Sequence, residues 1–272
     1  MEDVKKIVTF DAALRREIKA TAKLRIMMRL PLCAAAAAAY LLPALLVAML
    51  TAVPADASLE RMLAMFGLSL ACEVLLLGAI MMGLQYFLVD ISRGRSPAIA
   101  VVFSPLGSMR EMLRGVRMML CMMFRMMLMM IIPTAIYLGA LYLSIGWMER
   151  QGAWDDALFA QILMALVTVY LLLILPTLGR LASYVIGYSL LRDDPDIGVW
   201  RATREGSRLL RGHRRAMLAF ALSFLPWWLA GFLTCGLSTA FGMIYLCVSL
   251  YVLADRLRGM SNLPENDSQN NA

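Results

Sequence analysis

Uncharged or nearly uncharged stretches at residues 30–53, 62–89, 118–147, 157–179 and 216–254 dominate the chain, and a helix needs roughly 20 apolar residues to cross a bilayer. Within hydrocarbon, backbone amides and carbonyls find no water, so such runs fold as helices. The last stretch is too long for one helix, and Thr234-Cys235-Gly236 supplies a turn near its middle. The pattern therefore predicts six spans, with both termini on one side.

Basic residues orient these spans. Of the 26 Lys and Arg, eight precede the first span (Lys5, Lys6, Arg15, Arg16, Lys19, Lys23, Arg25, Arg29), five lie between the second and third, and seven, besides Arg180 at the end of the fourth, between the fourth and fifth. Only Arg61 and Arg150 fall in the first and third connections, none in the fifth, while Arg256 and Arg258 follow the sixth span. This is the positive-inside distribution for cytoplasmic N- and C-termini.

With 61% hydrophobic residues and a mean hydropathy of +0.71, the chain would expose far too much apolar surface as a soluble protein. The expected fold class is all-α, a polytopic bundle of six transmembrane helices with cytoplasmic amphipathic helices. Residues 1–29 read as a basic amphipathic cytoplasmic segment, 30–258 as the membrane domain, and 259–272, rich in Asn, Ser, Glu and Asp, as a disordered tail. The net charge of +7 does not point to nucleic acid, because the basic residues adjoin spans without an aromatic stacking platform. Anionic lipids of the inner leaflet are the expected partners; a protein partner or a homo-oligomer stays open.

Ala55-Asp56-Ala57 resembles a small-residue cleavage site, but the leader and apolar run before it are longer than a secretory signal carries. The first span is read as uncleaved. Cys33, Cys72, Cys121, Cys235 and Cys247 lie in or beside spans with no C-x-x-C pairing, so packing is expected rather than a disulfide framework or zinc site.

Three spans heading for the cytoplasm end alike. Tyr86-Phe-Leu88-Val-Asp90-Ile-Ser-Arg93-Gly94 and Tyr251-Val-Leu253-Ala-Asp255-Arg-Leu-Arg258-Gly259 match at Tyr, Leu, Asp, Arg and Gly, and Tyr188-Ser-Leu190-Leu-Arg192-Asp193 is a weaker echo. Leu113-Arg114-Gly115-Val-Arg117 and Leu210-Arg211-Gly212-His213-Arg214 then precede re-entry. The pattern predicts a parallel internal repeat about an axis along the membrane normal, with each Tyr and Arg serving as ordinary interfacial anchors.

Ser96-Pro97, Ser104-Pro105 and Asp194-Pro195 place a capping oxygen before a proline and predict helix starts. From Ile197 to Arg211, Trp200, Leu209 and Leu210 alternate with Arg201, Arg204, Arg208 and Arg211, and the N-terminal segment has Val4, Ile7, Leu14 and Ile18 at helical spacing. Both suit the headgroup boundary as a basic collar. Arg114, Arg117, Arg211, Arg214 and Arg215 are the candidate headgroup contacts.

Glu73 is the one acid well inside a span. A carboxylate there is costly unless neutral or paired, so it should face the bundle interior, either as an internal polar site or as hydrogen-bonding glue. Arg125 and Arg180 lie near span interiors; both suit snorkelling, and Arg180, just after the expected kink at Pro176, is the stronger site candidate beside Glu73. Pro133 predicts a second kink.

Met118, Met119, Met122, Met123, Met126, Met127, Met129 and Met130 could in principle ligate cuprous copper. They occupy every helix face, which favours packing. His213 is the sole histidine, phosphate-binding glycine loops are absent, and Asp193-Asp194-Asp196 reads as capping. No enzyme, cofactor or metal is expected.

The stretch Ile174-Leu-Pro176-Thr177-Leu-Gly-Arg180-Leu-Ala-Ser-Tyr184, then Asp193-Asp-Pro195-Asp and Leu209-Leu-Arg-Gly212-His213-Arg214, with Tyr86 to Gly94, resembles an uncharacterised family of bacterial six-span integral membrane proteins over roughly residues 10 to 258. Thr177 stands where glycine is expected, which predicts a milder break after Pro176. The family is distantly similar to the membrane domain of some glycerophosphodiester phosphodiesterases, whose catalytic part is separate. The resemblance implies a bacterial cytoplasmic membrane location but no reaction. The expected role is non-enzymatic, binding or organising lipids or amphiphiles or scaffolding a partner; the alternative is a transporter with a polar site at Glu73 and Arg180.

Overall fold

A computed structural model describes residues 12–53, 57–151, 156–211, 213–234 and 236–261, and every regular element among them is helical. In chain order these are α1 (Ala12–Met27), α2 (Leu30–Leu50), α3 (Leu59–Cys72), a π-helical turn (Glu73–Leu77), α4 (Gly78–Ser92), a 3-10 segment (Ile99–Gly107), α5 (Met109–Gln151), α6 (Asp156–Val185), α7 (Gly187–Asp193), α8 (Val199–Leu209), α9 (Arg214–Leu222), α10 (Leu225–Leu233) and α11 (Leu237–Ser261). Five helical stretches are long and apolar enough to cross a membrane: Leu30–Leu50, Leu59–Ser92, Met109–Arg150, Ala157–Leu175 and Ser238–Gly259. The stretch in which the remaining span is expected is divided into two shorter helices, α9 and α10, which meet at Ser223-Phe224. Pro226, in the first turn of α10, cannot donate to the preceding turn, and the Ser223 hydroxyl donates back to the Phe220 carbonyl, so the ladder stops there.

Burial concentrates around α4. All of its residues but Met81 are buried, because the 3-10 segment, the start of α5, α7 and α11 surround it. The 3-10 backbone approaches so closely that a Cβ on Gly83 would overlap the Val102 carbonyl, and one on Gly115 of α5 would lie 2.9 Å from the Gly78 carbonyl and the Ala79 Cα. Only glycine permits these contacts, as at helix interfaces in membranes generally.

Away from α4 the spans part. No residue of α3 is buried, nor is any in the most apolar window of α6. Leu42, Leu46, Phe66, Ile132, Leu171 and Leu172 are exposed. Such a surface is stable only against acyl chains or other apolar matter.

Several local expectations are revised. The helices expected at the serine-proline and aspartate-proline pairs start later, at Ile99, Met109 and Val199. The Ser104 hydroxyl donates to Val101 O at 2.8 Å instead of capping, and Asp194 Oδ1 accepts from Asp196 N at 3.0 Å in a turn that precedes α8. α5 passes through Pro133 unbroken. α6 likewise continues to Val185, nine residues beyond the expected kink at Pro176, with Thr177 Oγ1 donating to Ile174 O at 2.6 Å.

α1 does not lie free at the leaflet surface. Ile18, Ala22 and Ile26 are buried at a spacing of four, packing α1 against α11. Tyr245 donates to Lys19 O at 3.1 Å, and the Lys19 ammonium sits 4.7 Å from the Phe224 ring centroid. Burial, and secondarily Arg15, lower the Lys19 pKa. Val4 and Ile7, and the tail from residue 262, lie outside the described residues.

Candidate functional site

The three similar span exits meet. Arg93, after α4, donates from Nη1 and Nη2 to Asp193 at the end of α7 at 2.5 and 2.8 Å, and from Nε and Nη2 to Asp255 of α11 at 3.1 Å each. Arg258 of α11 adds a 2.6 Å bond to Asp193, and Arg192 of α7 reaches Asp90 of α4 at 2.8 Å. Thus Asp90 and Arg93, Arg192 and Asp193, and Asp255 and Arg258 close one ring among three chain segments. The hydrogen bonds that Arg93 donates to Asp193 raise the Arg93 pKa against the opposing effect of burial. Burial by itself would raise the pKa of Asp193; Arg93 and then Arg258 outweigh it and hold it below the usual value.

Tyr86, Tyr188 and Tyr251, expected as interfacial anchors, are instead core residues, none more than 6% exposed. Tyr251 donates to Gln85 Oε1 at 2.5 Å in the buried interior, and the Arg192 guanidinium lies 5.2 Å from the Tyr86 ring centroid. The aromatic rings point inward because the ends of these helices are enclosed by α8 and the 3-10 segment instead of facing lipid.

A second locus lies where α6, α8 and α9 approach. A cavity of about 610 Å³ is lined by Arg180, Ser183 and Tyr184 of α6, Ser207 of α8, Arg211 after it, and Arg215 of α9. α8 can come close because its buried face is Ala202, Thr203 and Gly206; a Cβ on Gly206 would lie 3.1 Å from Ser183 O. Among the described residues none of these three arginines forms an ion pair, whereas Arg201 on the same helix pairs with Glu205 at 2.8 Å and Arg256 with Glu17 at 2.7 Å. Arg125 backs the cavity, its guanidinium 4.6 Å from the Tyr184 ring centroid and 4.2 Å from that of Trp200. The half-buried guanidinium is therefore held against two aromatic rings, a contact that strengthens as the cation is desolvated.

The expected site residues thus separate. Arg180, Arg211 and Arg215 share the cavity. Glu73 does not join them: it is exposed on the first residue of the π turn, with Tyr40 of α2 within electrostatic reach. The π turn inserts an extra residue into the helix and changes its facing just where α3 gives way to the buried α4, so even spacing could not reveal which way Glu73 points. Arg114 is buried and pairs with Glu111 at 2.5 Å and with the Pro195 carbonyl, making it a structural clamp; Arg117 is exposed on α5. The Arg214 side chain lies outside the described residues.

The methionine segment does not converge: Met118 is fully buried while Met123, Met126 and Met127 are exposed. Cys121 instead approaches the Thr203 hydroxyl at 3.8 Å. Among the described residues no three His, Cys, Asp or Glu side chains cluster as metal ligands.

A protein family of unknown function, DUF975, matches residues 14–260 of the chain. No curated protein and no solved structure matches it.

Proposed function

The chain belongs to this family of unknown function, and we propose that it is a non-enzymatic, six-crossing protein of a bacterial cytoplasmic membrane that binds anionic lipids of the inner leaflet. Arg180, Arg211 and Arg215 around one cavity, without a carboxylate among its lining residues, are the observation that carries this reading. Basic pockets between membrane helices on the cytoplasmic side suit anionic headgroups. The apolar flank of α6, unburied up to Leu175, offers acyl chains a path beside the headgroup.

The crossing that brings the count to six is the fifth in chain order, α9 and α10 taken together, Arg214 to Leu233. At a rise of about 1.5 Å per residue these 20 positions reach about 30 Å, the thickness of a hydrocarbon core. An even count keeps both termini with the arginines on the cytoplasmic side. The recurrence of Tyr, Asp and Arg at three exits that pair with one another supports a parallel repeat of hairpins, tied at one end and spread at the other.

The transporter reading loses its main support, since Glu73 faces outward from the bundle. Native mass spectrometry of the whole protein, titrated with dioleoyl-phosphatidylglycerol and with the zwitterionic phosphatidylcholine, tests the lipid reading. Retention of the anionic lipid should fall in the combined R180Q, R211Q and R215Q variant and not in a K23Q control. Equal retention by the wild type and the triple variant overturns it.

A further inference from the structure

We infer that the cavity between α6, α8 and α9 is built for a phosphate monoester headgroup, as on a lipid whose phosphate ends in free oxygens, in preference to phosphodiester lipids. This rests on the lipid-binding reading and narrows it to one headgroup chemistry.

Charge is the first argument. Three guanidiniums line the cavity, and none is neutralised by a carboxylate among the described residues, although acids offset most of the arginines at the span exits. A phosphodiester brings one negative charge; a monoester at neutral pH brings between about 1.5 and 2, together with three terminal oxygens. Guanidiniums pair with such oxygens in bidentate fashion, and three arriving from three different elements can surround a group that exposes three acceptors. A diester presents only two.

Hydrogen-bonding capacity agrees. Ser183 already donates to Arg180 O at 2.6 Å, which leaves the Ser207 and Tyr184 hydroxyls as additional lining donors. The lining is thus rich in donors and holds no anionic acceptor. An ammonium or choline substituent would find no carboxylate there, and the one lining aromatic ring, Tyr184, already carries the Arg125 guanidinium. The site therefore disfavours zwitterionic headgroups as well as favouring dianions.

Arg180 makes the cavity a membrane site as well as an anion site. It lies five residues beyond the apolar span ending at Leu175, about 7.5 Å along the helix, so a phosphate held there stands at headgroup depth with its ester oxygen toward the lipid. A soluble phosphate monoester shares the same chemistry, and competition separates the two sources.

The test is native mass spectrometry of the full chain with dioleoyl-phosphatidate and dioleoyl-phosphatidylglycerol, which have the same acyl chains and differ in ester number. Phosphatidate should bind about tenfold more tightly, the equivalent of one further charge-assisted hydrogen bond. That preference should grow as the pH rises through about 6, where the monoester takes its second charge, while the arginines stay protonated throughout. R211Q with R215Q should reduce phosphatidate to the level of phosphatidylglycerol, and K23Q should leave both unchanged. Added glycerol 3-phosphate should not displace the lipid; displacement would assign the site to a soluble monoester. Equal, pH-independent binding of the two lipids, lost together in the variants, overturns the monoester inference and leaves anionic-lipid binding standing. Binding of neither lipid above phosphatidylcholine overturns both.

Discussion

Arg93, leaving the second span, grips Asp193, 100 positions later, through two parallel bonds of 2.5 and 2.8 Å. Bidentate geometry of this kind is stronger and more directional than a point-charge contact, and both groups are only partly open to water. Because Arg93 also holds Asp255, R93Q would leave two carboxylates short of a partner. We expect R93Q to destabilise the protein by about 2 kcal/mol and D193N by about 1 kcal/mol, the smaller value reflecting its greater exposure. Thermal denaturation in detergent should show the double variant less destabilised than the sum of the two; strict additivity would mean the pair contributes nothing.

Acid should loosen the same ring. Asp193 has a lower pKa folded than unfolded, so its contribution is fully present above the unfolded carboxylate value of about 4 and is lost as the pH falls through the folded value. Stability measured downward from neutral pH should therefore hold to about pH 4 and then decline. In D193N part of that decline should vanish. An unchanged acid limb in the variant would place the titration elsewhere.

The membrane class and the recurring Tyr-Asp-Arg exits were legible from residue order, because hydropathy and charge along the chain reflect the bilayer directly. Which residues pair was not. Arg93 could be read only as an interfacial anchor and Asp193 only as part of a capping run, since nothing local specifies a contact across 100 positions. The tyrosines were misplaced for a related reason: a Tyr at a span exit anchors in headgroups only if lipid is its neighbour, and here α8 and the 3-10 segment enclose it. Glu73 failed through the π turn, which changes the helical register. Arg180, Arg211 and Arg215 were legible as individual cations, and only the small buried face of α8 brought them to one cavity.

The buried Tyr251 hydroxyl and Gln85 Oε1, 2.5 Å apart, join α11 to α4. Y251F keeps the ring's packing and leaves the amide oxygen without that donor. A loss of about 1–2 kcal/mol is expected, with the helical circular dichroism spectrum unchanged. A neutral result would show that Gln85 finds another donor within the core.

Gly83 tests the 3-10 segment's hold on α4. Alanine ordinarily favours a helix over glycine, so G83A in an open helix would stabilise. Here the new methyl would overlap the Val102 carbonyl, and backbone cannot step aside as a flexible side chain can. Destabilisation by about 1–3 kcal/mol is expected, the range for overpacking a well-filled interior. A stabilised G83A would show that Ile99–Gly107 does not pack on α4 as described.

The broken fifth span decides the topology. α10 alone, Leu225–Leu233, has nine residues and reaches only about 14 Å, so if α9 stayed at the cytoplasmic surface the hairpin with α11 would dip in and return on the same side. If α9 enters the bilayer with it, Thr234 reaches the outer face. With native cysteines replaced, T234C and R208C can each be labelled by a membrane-impermeant maleimide in intact cells and in inverted vesicles. Six crossings require T234C to react only in cells and R208C only in inverted vesicles. Reaction of T234C in neither preparation would mark a re-entrant hairpin, and its reaction only in vesicles would reverse the orientation drawn from the arginines.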